Sequence, residues 1–461
     1  MIPVTDQAYK LFHQGQIALA QVEANGMKID VDYLKTMIAK TKRKINHLTN
    51  NLKKDKIYKV WKKQYGTKFN LDSGMQLGKI LFDTMNYTCK FRTKTGIPVT
   101  DEAALSQLEI PFITDLISLG KLKKARGTYL KGILRETTED GFLHPFFGLN
   151  LARTMRGQSD HPNFQNIPIR NPETAELIRS AFITRKNHRI IEADYSGAEI
   201  SAATCYHKDP NMISYIKDPT KDLHRDMAAQ IYMLRTKEVS KEVRYCGKNK
   251  FIFPQFYGDW YLSCAKSLWV AIEEMNLCAG DGLNLYDHLL YKGIKKLGAC
   301  NPKERPKKHT FELHLKEIED DFWHNRFQDY GQWKLDWWND YVKNGFFTSL
   351  TGFRIDGLMN RKEVINYPIQ GTAFHWLLWS LIRIQKLLNK YNMRSKIVGQ
   401  IHDSIVADVH RKEKRNYLEI AKQVMTLDIR KHYKWINVPL TIDAEITPIN
   451  GNWYQKKEII I

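Results

Sequence analysis

Arg189-Ile-Ile-Glu-Ala-Asp194-Tyr-Ser-Gly-Ala-Glu199 is the stretch whose reading decides the fold of this chain. A short apolar run of the kind that forms a buried strand carries a carboxylate to its end, and a second carboxylate follows five residues later. Far along the chain, Gln400-Ile-His402-Asp403-Ser-Ile-Val has the same build. Here two alternating apolar runs, Lys396–Ile401 and Ser404–Val409, are separated only by His402-Asp403, which is a hairpin signal with polar residues at its tip. The reading is that the fold brings Asp194 and Asp403 together around divalent metal, with the rest of the chain delivering nucleic acid and nucleotides to that point.

Composition bounds the answer from outside. A chain of 461 residues is too long for one simple core, so two or three packed subdomains are expected. It holds 71 Lys+Arg against 50 Asp+Glu, a formal charge of +21, and such an excess recruits polyanions. Eleven Trp, with 22 Tyr and 20 Phe, provide the flat surfaces that base stacking uses. No segment offers eighteen uncharged apolar residues and no basic-plus-apolar leader opens the sequence, so a protein without membrane insertion and located in the cytoplasm is expected. The six cysteines lack CxxC pairing and are read as reduced thiols, neither a disulfide framework nor a zinc site.

Taken in order, residues 1–27 read as an amphipathic lead-in. Val31–Leu52 has apolar residues at helical spacing and a Lys/Arg-rich opposite face, Asn70-Leu-Asp-Ser73 offers caps for a helix at Met75–Met85, and Leu116–Leu130 carries Lys121, Lys123, Lys124 and Arg126 on one side. A turn-rich connector is expected at Thr93–Pro98. This basic, helical first third suits an arm lying along a duplex. From about residue 143 the composition changes, and Thr154-Met-Arg156 through Asn163-Phe-Gln165-Asn166 to Arg170 concentrates amide and guanidinium donors of the kind that reach minor-groove acceptors. Glu242–Gly258 reads as a helix with Arg244 and Lys248 one turn apart, then Phe253 and Tyr257 at the same spacing, while Pro254 interrupts its hydrogen bonding. A long apolar helix opens at Asn366, another helix covers Arg415–His432, and a strand covers Val438–Ile446.

Asp194-Tyr-Ser-Gly-Ala-Glu199, Arg244…Lys248…Tyr257-Gly258 and His402-Asp403 resemble motifs A, B and C of family A DNA polymerases, the DNA polymerase I family. Thr154-Met-Arg156…Asn163-Phe-Gln165-Asn166-Ile-Pro168 and Asn366-Tyr-Pro-Ile-Gln370-Gly-Thr-Ala resemble two supporting motifs, and Phe69–Leu77 with Lys121-Leu-Lys123 resembles the thumb. All fall in the family's order, across about residues 25–455, and the wording Phe253-Pro-Gln-Phe-Tyr-Gly is similar to bacteriophage members. The cytoplasm expected would then be that of a host cell.

The resemblance implies an α+β right-hand fold with an antiparallel-sheet palm, helical fingers and a helical thumb. Its boundaries would be thumb 28–140, palm 141–207 and 330–461, and fingers 208–329 with an insertion near 261–310. Asp194 and Asp403, with the backbone carbonyl of Tyr195, would bind two Mg²⁺ ions, Mn²⁺ being able to substitute. Arg244, Lys248 and His224 would hold the triphosphate of a dNTP. Glu199 would reject a 2′-hydroxyl, and Phe253 and Tyr257 would pack on nucleotide and template base. Arg156, Asn166, Asn366, Gln370 and His402 would touch the primer–template DNA, and Lys121 and Lys123 its backbone. A monomer is expected, served by any exonuclease or processivity protein as a separate partner.

Three departures qualify the resemblance. Motif B has one extra residue between Lys248 and Tyr257, which together with Pro254 suggests a local π-bulge; Lys248 rather than Lys250 keeps its spacing from Arg244. Ser404 stands where an acidic residue commonly follows the motif C aspartate, and His-Asp-Ser also resembles single-subunit RNA polymerases, although Glu199 favours deoxynucleotides. Thumb-like sequence starts near residue 28, leaving no room before it for the family's proofreading domain, so no 3′–5′ exonuclease is expected in this sequence. The competing classes are a degenerate polymerase that only binds nucleic acid, and a nuclease built on Asp pairs. Against the first stand intact metal aspartates beside Arg244 and Lys248; against the second stands motif B.

Overall fold

The protein is described by a computed structural model covering residues 2–89, 92–93 and 95–461. At its centre the two aspartate-bearing stretches lie in one antiparallel sheet of five strands, in the order Lys396–Ile401, Ser404–His410, His188–Tyr195, Ile442–Ile446, Lys457–Ile459. The fold is α+β, as expected.

The register follows from burial. Ile190, Ile191 and Ala193 are fully buried, as are Ile405, Val406, Ala407 and Val409 on the neighbouring strand, so both faces are packed and a one-residue slip would carry Glu192 and Asp194 to the opposite face. The long helix Arg361–Lys390 packs against the sheet. Its start is fixed by a capping box, Asn360 accepting from the Glu363 N–H and Glu363 from the Asn360 N–H. Residues Asp6–Asn25, expected only as a lead-in, form a helix that buries Leu11, Leu19 and Val22 in the main core. Gly15 lets it approach the long helix, since a Cβ there would meet Leu378 at 2.8 Å. The sequence also gave no sign that Ile2–Pro3 pairs with the strand Phe353–Asp356.

A second apolar core lies apart from the first. It gathers Leu52, Ile57, Trp61, Leu77, Ile80, Leu81, Leu105, Phe112, Ile113 and Leu119. Its helices are the far part of Val31–Lys54, Lys56–Tyr65, Gly74–Gly78 and Pro111–Lys124. In the connector, Arg92 bridges to Pro98 in an antiparallel turn, while Lys94 lies outside the described residues.

Several element boundaries differ from expectation. The strand expected to end at Asp194 continues to Tyr195, which pairs with Ile442 on one side and donates its N–H to the Asp403 carbonyl on the other. The strand expected over Val438–Ile446 begins only at Ile442, where pairing starts. The motif B helix is not continuous. It runs as an α-helix over Lys241–Gly247, a π-helix over Lys248–Ile252 and an α-turn over Phe253–Phe256. The π-turn absorbs the added residue and puts Pro254 in the first turn of the last segment, where a missing N–H is tolerated. The expected helix Arg415–His432 likewise contains a π-turn, at Gln423–Asp428. Among the described residues no helix is long and apolar enough to cross a membrane.

Candidate active site

Asp194 sits on the strand His188–Tyr195, opposite Ser404 on one side and Asp443 on the other. Asp403 occupies the two-residue loop between Ile401 and Ser404, whose first residue, His402, has φ 48°. A positive φ at that position is what a tight hairpin requires. The Tyr195 N–H donates to the Asp403 carbonyl at 3.1 Å, tying the loop to the strand one residue beyond Asp194. Gln400 steadies the loop from beneath, donating to the His402 carbonyl at 2.7 Å and accepting from Gln165 at 2.7 Å. The chain then leaves the strand through Gly197, whose φ of 66° starts the helix Ala198–His207 and brings Glu199 back to the site.

The electrostatics of the pair favour a cation. Burial, then the charge of Asp403, then Glu192 and Asp443 push the Asp194 carboxyl up to about 7, even though the residue keeps an open edge to solvent. Burial also raises Asp403, against the pull of Arg156. The Arg156 guanidinium lies 3.5 Å from Asp403 and 3.5 Å from Glu199, while Asp403 Oδ1 is buried with no hydrogen-bond partner. These hard, acceptor-only oxygens fit a divalent cation such as Mg²⁺. Among the described residues no group of three or more His, Cys, Asp or Glu side chains is placed to hold a metal unaided. The pair therefore suits an ion that keeps water or substrate oxygens in its shell.

Cations gather on the motif B helix. Arg244 Nε donates to Asp222 at 2.7 Å, and Lys248 Nζ stands 5.2 Å from the ring of Phe253. His224 meets the edge of Phe253 at 6.0 Å, with its Nδ1 buried and unpartnered. Burial and the charges of Lys248 and Arg244 hold His224 down to about 4, and burial followed by Arg244 lowers Lys248. A group of donors that repel one another in this way favours an anion. Lys250 turns elsewhere, its nearest partner being Ser267 Oγ at 3.4 Å.

Phe253 and Tyr257 stack with centroids 6.1 Å apart. The Tyr257 hydroxyl donates to Glu199, and the Tyr257 carbonyl accepts from Asn366 at 3.1 Å, so motif B, motif A and the long helix meet at one tyrosine. Gln370 lies one turn beyond Asn366, half-buried. Close approach is built in there: a Cβ on Gly371 would meet Met155 Cε at 2.5 Å and the Thr154 carbonyl at 2.9 Å, which sets Arg156 beside the pair. His402 and Asn166 are exposed, and the Asn166 carbonyl accepts from Tyr129 at 3.2 Å. Lys121 and Lys123 are not brought to the aspartates. They belong to the helix Pro111–Lys124 of the second core, paired with Glu102 and Asp72.

Other contributors escaped the sequence reading. Asp222, visible only as a helix start, caps that helix and also holds Arg244. Glu192, two residues before Asp194, accepts from Ser404, Trp453 and Lys456. Its signal was a charged residue inside an apolar strand on the same face as Asp194.

The model for DNA polymerase family A matches residues 31–281 and 354–455. DNA polymerase I of Lactococcus lactis subsp. cremoris (strain MG1363) is 26% identical over 448 residues, covering 95% of this chain and 45% of that protein. The DNA polymerase of Bacillus phage SP01 is 27% identical over 417 residues, covering 85% of this chain and 41% of that protein. The chain thus spans about half the length of the curated relatives it matches. Among solved structures, the POL domain of Pol1 from M. smegmatis, in complex with DNA primer-template and dNTP, superposes with a TM-score of 0.73 at 22% identity. That match covers 96% of this chain and 70% of that one.

Proposed function

The chain belongs to DNA polymerase family A, and from that premise we propose that it is a DNA-directed DNA polymerase, extending a primer 3′ end on a DNA template with dNTPs. The observation that carries this reading is the placement of Asp403 beside Asp194, its carbonyl accepting from the Tyr195 N–H, with the motif B segment of Arg244 and Lys248 joined to motif A through the Tyr257–Glu199 hydrogen bond. Asp194, Asp403 and the Tyr195 carbonyl are the groups that would hold two Mg²⁺ ions. Bound there, such ions lower the pKa of an attacking hydroxyl and offset charge on a departing pyrophosphate.

The remaining work falls to the chain's own residues. Arg244, Lys248 and His224 grip the triphosphate, and Asp222 keeps Arg244 aimed while leaving its other nitrogens free. Phe253 and Tyr257 form the platform for the incoming base. Glu199, held by Tyr257, closes the space beneath the sugar against a 2′-hydroxyl, favouring DNA over RNA synthesis. Arg156, Asn366, Gln370, Asn166 and His402 line the approach of the primer–template minor groove. The groove bearing Lys40, Arg43, Lys44 and Lys121 lies between the helix Val31–Lys54 and the segment 171–177 and receives duplex phosphates. We assign residues 28–140 to the thumb, 141–207 and 330–461 to the palm, and 208–329 to the fingers.

Primer extension with Mg²⁺, comparing wild type with Asp403→Ala, tests the reading. Template-directed dNTP addition lost in Asp403→Ala is expected. Extension that survives the substitution, or a preference for rNTPs, overturns it.

A further inference from the structure

Glu192 lies two residues before Asp194 on the same strand, so both side chains leave the same face of the sheet. Its carboxylate is sequestered, with the side chain 12% exposed, and each oxygen has its own partner. One oxygen accepts from Lys456 Nζ at 2.7 Å and from Trp453 Nε1 at 3.1 Å. The other lies 3.1 Å from the hydroxyl of Ser404, the residue that directly follows Asp403 and directly faces Asp194. Lys456 is itself 8% exposed and reaches Glu445 as well. Arg179 lies over the Trp453 ring at 4.0 Å, closing the far side.

Such a cluster is a poor device for stability alone, because two charges withdrawn from water recover little more than their desolvation. Its placement points elsewhere. Through Ser404 it reaches the hairpin carrying Asp403, and through the strand it stands behind Asp194. A carboxylate grown from position 404 would extend into the space that Glu192 fills, since only 3.1 Å separates the Ser404 oxygen from Glu192.

Resting on the polymerase reading above, we propose that Glu192 is a positioning residue of the active site: clamped by Lys456 and Trp453, it holds the Asp403–Ser404 turn against Asp194. It also supplies from the motif A strand the carboxylate that position 404 lacks.

Four variants test this: Glu192→Gln, Glu192→Ser, Ser404→Glu and the exchange Glu192→Ser/Ser404→Glu. Mn²⁺ binding to the protein, by electron paramagnetic resonance, is read beside single-turnover primer extension and melting temperature. Each single variant is expected to lose about tenfold in Mn²⁺ affinity and in extension rate, the range found when a group supporting a metal ligand is removed. The exchange is expected to recover most of both. Wild-type Mn²⁺ affinity and rate in Glu192→Gln, with only a lower melting temperature, would reduce the cluster to a structural ion pair and overturn the proposal. So would an exchange variant no better than the worse single one. Should Glu192→Gln not fold, Lys456→Gln, which leaves Glu192 in place without its lysine, carries the same expectation and the same refutation. Asp403→Ala runs in parallel. If it extends primers normally the polymerase reading fails, whereas an inactive Asp403→Ala beside unaffected Glu192 variants sinks this proposal alone.

Discussion

Asp194→Asn should make the metal-free protein more stable while destroying its activity. In the folded chain the Asp194 carboxyl holds its proton up to about 7, against 3.8 for the free group. Between those values the folded state binds more protons than the unfolded one, so stability falls as pH rises from about 4 to about 7 and then levels off. Taken whole, the difference is roughly 4 kcal/mol. Asp194 keeps an exposed edge, and solvent screening reduces the contribution to about 1 kcal/mol. At about 2.1 cal/mol/K per residue, a chain of 461 residues gains or loses about 1 °C in Tm per kcal/mol. Asparagine removes the charge without removing the volume. Differential scanning calorimetry in EDTA at pH 8 should therefore show Asp194→Asn melting about 1 °C above wild type, with a flatter Tm profile between pH 4 and 7. Millimolar Mg²⁺ should close the gap by stabilising wild type alone. A lower Tm for Asp194→Asn in EDTA, or an unchanged pH profile, would refute the account of the pair as repelling carboxylates awaiting a cation.

Other expectations follow from particular contacts. Lys248→Ala should raise the KM for dNTP at least tenfold while Lys250→Ala changes it less than threefold, because only Lys248 shares the face of Arg244, His224 and Phe253; steady-state extension kinetics reverse the assignment if the order is opposite. Phe253→Tyr adds a hydroxyl that, by the resemblance of motif B, substitutes for a missing 3′-OH, so dideoxynucleotide incorporation relative to dNTP should rise; an unchanged ratio shows that Phe253 is misplaced. Trp61→Ala empties the centre of the second core and should cost about 3–5 kcal/mol there, seen as lost amide protection across residues 52–119 with the central sheet still protected. Gly371→Val drives a side chain into Met155 and the Thr154 carbonyl; duplex affinity should fall through displacement of Arg156, and wild-type affinity would show that this close approach does not place it.

What the sequence displayed and what it hid divide along physical lines. The central strand and hairpin were legible because burial on both faces writes itself as apolar runs, and because a two-residue loop leaves no other register for Asp403. The π-turn was legible from one extra residue and one misplaced proline. The helix Asp6–Asn25 was not recognised as core, because its apolar residues pack against a helix more than three hundred positions away, and nothing local announces that partner. Element ends at Tyr195 and Ile442 were set by neighbouring strands, not by their own residues. Polar partners were the least visible: Asp222 and Glu192 owe their roles to the groups that fold against them, Arg244 and Ser404, respectively 22 and 212 positions away.

The two sides of the site explain each other. On the sheet side burial and the charges of Asp403, Glu192 and Asp443 raise Asp194, and Lys456 pairs with Glu192 and Glu445. On the motif B side burial and the charge of Arg244 lower Lys248, burial and both cations lower His224, and Asp222 pairs with Arg244. No ion pair joins the two clusters among the described residues. A ligand that joins them has to present negative charge to the fingers and oxygen ligands to metal at the aspartates. On the proposed reading a nucleoside triphosphate does both at once, its phosphates meeting Arg244 and Lys248 and its oxygens a metal at the aspartates. Binding of dNTP should therefore weaken strongly when Asp403→Ala removes the metal side, even though Asp403 touches neither Arg244 nor Lys248. Equilibrium titration with a non-hydrolysable dNTP, with and without Mg²⁺, measures that coupling, and equal affinities in the two conditions would show that the clusters act independently.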